Sequence, residues 1–197
     1  MADPLYLSLW FPSFEAEDML PNALRVLRQF PFSRERPGVT HLSLHPVSWN
    51  EPTILERRFQ PGVSPEEAVA TAADLLHEDY AYVFEAAWDL WLPSAESGQW
   101  ARRPCVVKFA VQGLEFDEGS FEQEGHIQLD FGLDSPFLQE QVRLTPEAES
   151  RVRSNIQQLV EFTNRLEQGS GASARLLWSE SDENLAQKLI ARLQRVQ

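Results

Sequence analysis

The sequence predicts an α+β domain, a mostly antiparallel sheet with helices packed on one face. Three observations point there. Several short stretches alternate apolar and polar residues with the period of half-buried strands. Between them lie segments with leucines at helical spacing, and two of these open on a hydroxyl residue followed by proline, the signature of a helix start.

The chain opens with "PLYLSLWF", where Leu5, Leu7 and Leu9 face one way and Tyr6, Ser8 and Trp10 the other, a strand pattern. "SFEAEDMLPNALRVLRQF" then places Leu20, Leu24 and Leu27 on one helical side, with acids early and arginines late to suit the helix dipole. Pro21 either sits in the first turn of a short helix or kinks a longer one. "GVTHLSLHPVSW" and "PTILERRF" read as two short strands about the turn-prone Asn50, Glu51 and Pro52.

"SPEEAVATAADLLHEDY" carries the clearest helix start: Ser64 as cap, Pro65 in the first turn, and Glu67 closing a capping box. Its predicted core side is Val69, Ala72, Ala73 and Leu76. "YVFEAAWDLWLP" reads as a strand because aromatic residues dominate it, although a helix would also bring Glu85 and Asp89 to one side. "PCVVKFAVQGLEF" and "EGHIQLDFGL" follow as strands joined through an acidic, glycine-containing turn. A long helix capped by Thr145 presents Val152, Ile156, Leu159 and Leu166. "ASARLLW" is a last strand, and Leu185, Leu189, Leu193 and Val196 line a last helix.

The first six elements resemble the βαββαβ order of a ferredoxin-like unit, here extended by further strands and two C-terminal helices. That resemblance is topological and implies no function. With 197 residues, 43% of them hydrophobic, the chain supports one sizeable core, and residues 1–197 are expected to form a single domain.

Thirty acidic residues against seventeen basic ones give a net charge of -13, which argues against nucleic acid or an anionic membrane surface as partner. A basic protein partner suits that charge. A lone cysteine, Cys105, excludes an internal disulfide and fits a reducing compartment. The start of the chain has no basic segment ahead of its short apolar run, so a cytoplasmic location is expected.

If the strands holding Glu85, Lys108 and Asp130 pair in sequence order, Glu85, Asp89, Lys108, His126, Gln128 and Asp130 share one sheet surface. Glu85, Asp89, His126 and Asp130 are then the candidate catalytic residues, having the types needed for acid and base work. The competing interpretation is a wet sheet face with ordinary cross-strand charge pairs. His41 and His45 lie roughly 13 to 14 Å apart along a strand, too far to share a metal, and no metal site or cofactor is expected.

Trp10, Trp49, Trp91 and Trp100 are candidate binding residues, being aromatics on the strand face opposite the leucines or at strand ends and loops. The function these features favour is a non-catalytic, acidic protein-interaction module. Glu115, Asp117, Glu118, Glu122 and Glu124 around the acidic turn are expected to help attract its partner. The alternative is a hydrolase built on the polar sheet face.

Overall fold

The computed structural model describes residues 2–94, 96–138, 144–180 and 185–194. Seven strands form one sheet: β1 (Pro4–Trp10), β2 (Val39–Pro46), β3 (Leu55–Val63), β4 (Tyr80–Pro93), β5 (Trp100–Gln112), β6 (Ile127–Leu133) and β7 (Ala174–Ser179). Their order is β3-β2-β4-β5-β6-β1-β7, and every neighbouring pair is antiparallel. The helices are α1 (Ala16–Gln29), α2 (Pro65–Ala73), the single turn α3 (Phe121–Glu124), α4 (Pro146–Gly169) and α5 (Leu185–Gln194).

Since all neighbours are antiparallel, strands two or four places apart run parallel and need a crossover connection. Three helices supply these: α1 from β1 to β2, α2 from β3 to β4, and α4 from β6 to β7. Their buried residues join one core with the leucine side of the sheet. The α+β class and the antiparallel sheet expected from the sequence are therefore present. The βαββαβ chain order is present too, but β5 and β6 stand between β4 and β1, so the ferredoxin-like resemblance stops at chain order.

The local signals act as their chemistry requires. Ser64 accepts from the Glu67 amide while the Glu67 side chain reaches back, completing the capping box of α2. Thr145 accepts from the Ala148 amide and starts α4. Pro21 sits inside α1, which runs on past it. Within α2, Ala68 and Ala72 are buried and Val69 packs partly, whereas Ala73, the last residue of the helix, is exposed; Leu76 lies beyond α2 and packs partly against the core. Val196, expected on the last helical stripe, lies outside the described residues.

An aromatic cluster fills the middle of the core. The ring of Phe30 lies 5.1 Å from Phe109, 5.4 Å from Phe162 and 5.8 Å from Trp88. Trp88 in turn stacks on Phe131 at 5.2 Å. The Trp88 indole nitrogen is buried without an acceptor, a cost of about 1 to 3 kcal/mol set against burial of the largest side chain in the core.

β4 outruns β2, whose last pairing on that side is Val39 with Ala86. Other parts of the chain complete its edge. The Ser33 amide donates to the Ala87 carbonyl, and the buried Asn155 of α4 exchanges two bonds with the Trp91 backbone at 2.8 and 2.9 Å. A third bond from Asn155 reaches the Pro136 carbonyl at 2.9 Å. One amide side chain thus joins α4, β4 and the 134–138 loop.

The β2 exit contains a strained residue. Val47 has φ 62°, in the left-handed region that a β-branched side chain avoids, and its side chain is 55% exposed. Its amide and carbonyl fasten the turn to Asp79 and Asp117. Asn tolerates this conformation and little packing is lost, so Val47→Asn should raise stability by about 1 kcal/mol. The check is a higher denaturant midpoint at unchanged slope; a lower midpoint would mean that the Val47 side chain packs more than its exposure indicates.

Candidate functional site

The sheet face opposite the main helices takes its shape from strand register. Residues paired across neighbouring strands point the same way. One row of such partners runs across the sheet as Arg58, His41, Glu85, Lys108, Asp130, Tyr6 and Trp178. The next row runs as Ser43, Val83, Ala110, Gln128 and Ser8. Small side chains in that row leave a trough beside a charged ridge.

The far bank of the trough is aromatic. His45 lies 5.0 Å from Trp49, which stands edge-on to the buried Phe116 at 4.9 Å. The trough encloses about 420 Å³. A second hollow of about 630 Å³ lies on the other side of the ridge, floored by Thr40, Ala87 and Val106 and walled by Arg36 and the end of β3. Both hollows share His41, Glu56 and Glu85.

Polar contacts within the ridge are sparse. His41 sits between two carboxylates, with Nε2 at 3.1 Å from Glu56 and Nδ1 at 3.8 Å from Glu85. The side chains of His41 and Glu85 are 17% and 28% exposed, so this acid is partly withdrawn from water. Asp130 accepts from the Gly132 amide at 2.8 Å. Lys108 is exposed and, among the described residues, forms no ion pair although Glu85 and Asp130 flank it.

Electrostatics differ along the ridge. Burial pushes the Tyr6 hydroxyl above its usual pKa, and the nearby carboxylates of Asp130, Glu180 and Glu124 add to the shift. On the trough bank, burial lowers the pKa of His45 while nearby Glu56 opposes it. Ser43 Oγ lies 3.1 Å from His45 Nε2, and His45 Nδ1 is buried without a partner. Among the described residues, no three His, Cys, Asp or Glu side chains converge as ligands for one metal ion. Cys105 is half-buried, and burial raises its thiol pKa.

The four acid and base candidates divide. Glu85 and Asp130 line the trough two strands apart. Asp89 instead accepts from the Arg34 amide at 3.1 Å and ties the 33–36 turn to β4. His126 is 7% exposed and stacks between Phe14 at 4.5 Å and Phe121 at 4.8 Å. Its Nδ1 accepts from the Phe11 amide at 2.9 Å, which puts the proton of the neutral ring on Nε2.

The tryptophans are dispersed. Trp49 reaches the trough and is 38% exposed. The Trp10 indole donates to the Phe121 carbonyl, and Trp100 packs partly against the core. Trp91 carries the Arg151 guanidinium 3.8 Å from its ring centroid. The expected acidic turn folds as a short 3-10 segment and α3, next to the aromatic bank through Phe116.

Two features escaped the sequence analysis: the Ser43 and His45 contact, and the trough itself. Its signal was the run of small residues opposite the leucines, which alternation alone reads as mere polarity. No family model, curated protein or solved structure matches the chain.

Burial without a charge partner holds the His126 pKa down at about 4. A histidine with a lowered folded-state pKa takes up its proton more readily when unfolded. Its contribution to stability is therefore constant above the ordinary histidine value of 6.5 and is lost as pH falls toward about 4. A proton NMR titration should find the His126 ring neutral at pH 5.5 and titrating near 4; a midpoint near 6.5 would mean that the ring is open to water.

Proposed function

We propose that the chain is a protein-interaction module that binds its partner in the trough on the open sheet face. One observation carries this reading: a hollow of about 420 Å³ lined by Ser43, Val83 and Ala110, beside a ridge that holds Lys108, Glu85 and Asp130 free of mutual ion pairs. Charges kept separate on a shaped surface give specificity and faster encounter with a complementary partner. An exposed tryptophan on the bank adds the kind of anchor that interfaces favour. The acidic composition supports a basic partner.

The test is capture from native lysate with three baits. Ala110→Trp fills the trough from an accessible position, while Glu161→Trp places the same bulk on α4. Proteins held by the wild type and by Glu161→Trp should be lost with Ala110→Trp. Identical capture by all three baits, or none by any, would remove the trough as the binding surface.

The hydrolase alternative has one specific observation in its favour, the Ser43 Oγ to His45 Nε2 distance of 3.1 Å at the trough wall. Burial lowers the pKa of His45, which favours the neutral ring that a serine nucleophile needs as proton acceptor. A fluorophosphonate probe distinguishes the two readings. A mass adduct on Ser43 that disappears in His45→Gln would favour the hydrolase, and an unlabelled Ser43 would exclude a serine-nucleophile mechanism.

A further inference from the structure

We infer that the trough receives an extended polypeptide segment carrying cationic side chains, which seat on Glu85 at one end and Asp130 at the other. This rests on the binding reading above and adds the chemistry of the ligand. From Ser43 to Gln128 the trough crosses the strands β2, β4, β5 and β6. Three spacings of about 4.8 Å give roughly 14 Å, the length of about four residues of extended chain. A helix, about 10 Å wide with its side chains, is too broad for a depression made by one row of small residues.

Charge selects the cation. The ridge presents Glu85 and Asp130 about 10 Å apart with Lys108 between them. Glu56 adds negative charge beside Glu85. At the other end Asp130 pairs across the sheet with Tyr6, and Glu124 and Glu180 add negative charge near the same hydroxyl. Arg58 beside His41 offsets one of Glu56 and Glu85 at the first end, and Asp130, Glu124 and Glu180 lie at the second, so carboxylates outnumber cations at both ends and the central Lys108 spaces two cation seats rather than cancelling them. Lys108 also repels a segment with a positive charge at its middle, which gives the site an order preference and not merely a sign.

A short fluorescent arginine–glycine peptide, followed by anisotropy at physiological salt, tests this against its glutamate–glycine counterpart. The basic peptide should bind, and Glu85→Gln and Asp130→Asn should each weaken it about tenfold. Glu161→Gln makes the same change of charge on the far side of the molecule and should leave the affinity within about twofold.

Equal weakening by Glu161→Gln would mean general attraction to an acidic protein and would overturn the assignment. Binding of the acidic peptide instead, lost in Lys108→Ala, would overturn the cation assignment while leaving the trough as a binding site. Binding of neither peptide would also overturn the cation assignment, and the three-bait capture would then decide the binding reading separately.

Discussion

The register of β4 is the constraint on which the rest depends. This strand pairs with β2 on one side and along its whole length with β5 on the other. Side chains alternate, so one choice of register sends Tyr82, Phe84, Trp88 and Leu90 into the core and Glu85 to the opposite face. A slip by one residue would reverse every position. Exposing those four side chains would cost on the order of 10 kcal/mol at roughly 1.5 to 3 kcal/mol each, comparable with the whole stability of an ordinary domain. The edge of β4 beyond β2 is partly closed by Ser33 and Asn155, which bind the backbone of Ala87 and Trp91 and so take up positions where a strand could pair wrongly.

The same register assembles the charged ridge. Glu85, Lys108 and Asp130 come from β4, β5 and β6 and are brought into line because the two hairpin pairings are in step. Among the described residues no helix is seated on the row, since the crossovers lie on the leucine side. The trough lies where Ser43, Val83 and Ala110 are small, between the charged ridge and the bank of His45 and Trp49. Core and surface thus draw on one alternation: its apolar half builds the core, and its other half supplies the charged ridge and the trough.

Much of this was legible in the sequence. Periodicity located the strands and helices, and the capping residues Ser64 and Thr145 marked two helix starts where they occur. The shared surface of Glu85, Lys108 and Asp130 followed from pairing in sequence order. What stayed hidden depends on contacts between distant segments. Nothing local to β1 says that it pairs with β6 and β7 rather than lying beside β4. His126 belongs by alternation with Gln128 and Asp130, yet it sits at the end of β6 where Phe14 and Phe121 close over it. Asp89 shares a strand face with Glu85 but is taken up by the turn after Phe32.

The central claim is that this second face is open across β5 while the first is sealed. Thiol accessibility measures that directly, with single cysteines placed at Ala110 and at its neighbour Phe109 in a Cys105→Ser background. The Ala110→Cys thiol should react with a maleimide at close to the rate of an exposed thiol, while the folded Phe109→Cys protein stays protected until denaturant is added. Protection of both positions would show that something covers the trough, and equal reactivity of both would contradict the two-faced sheet itself.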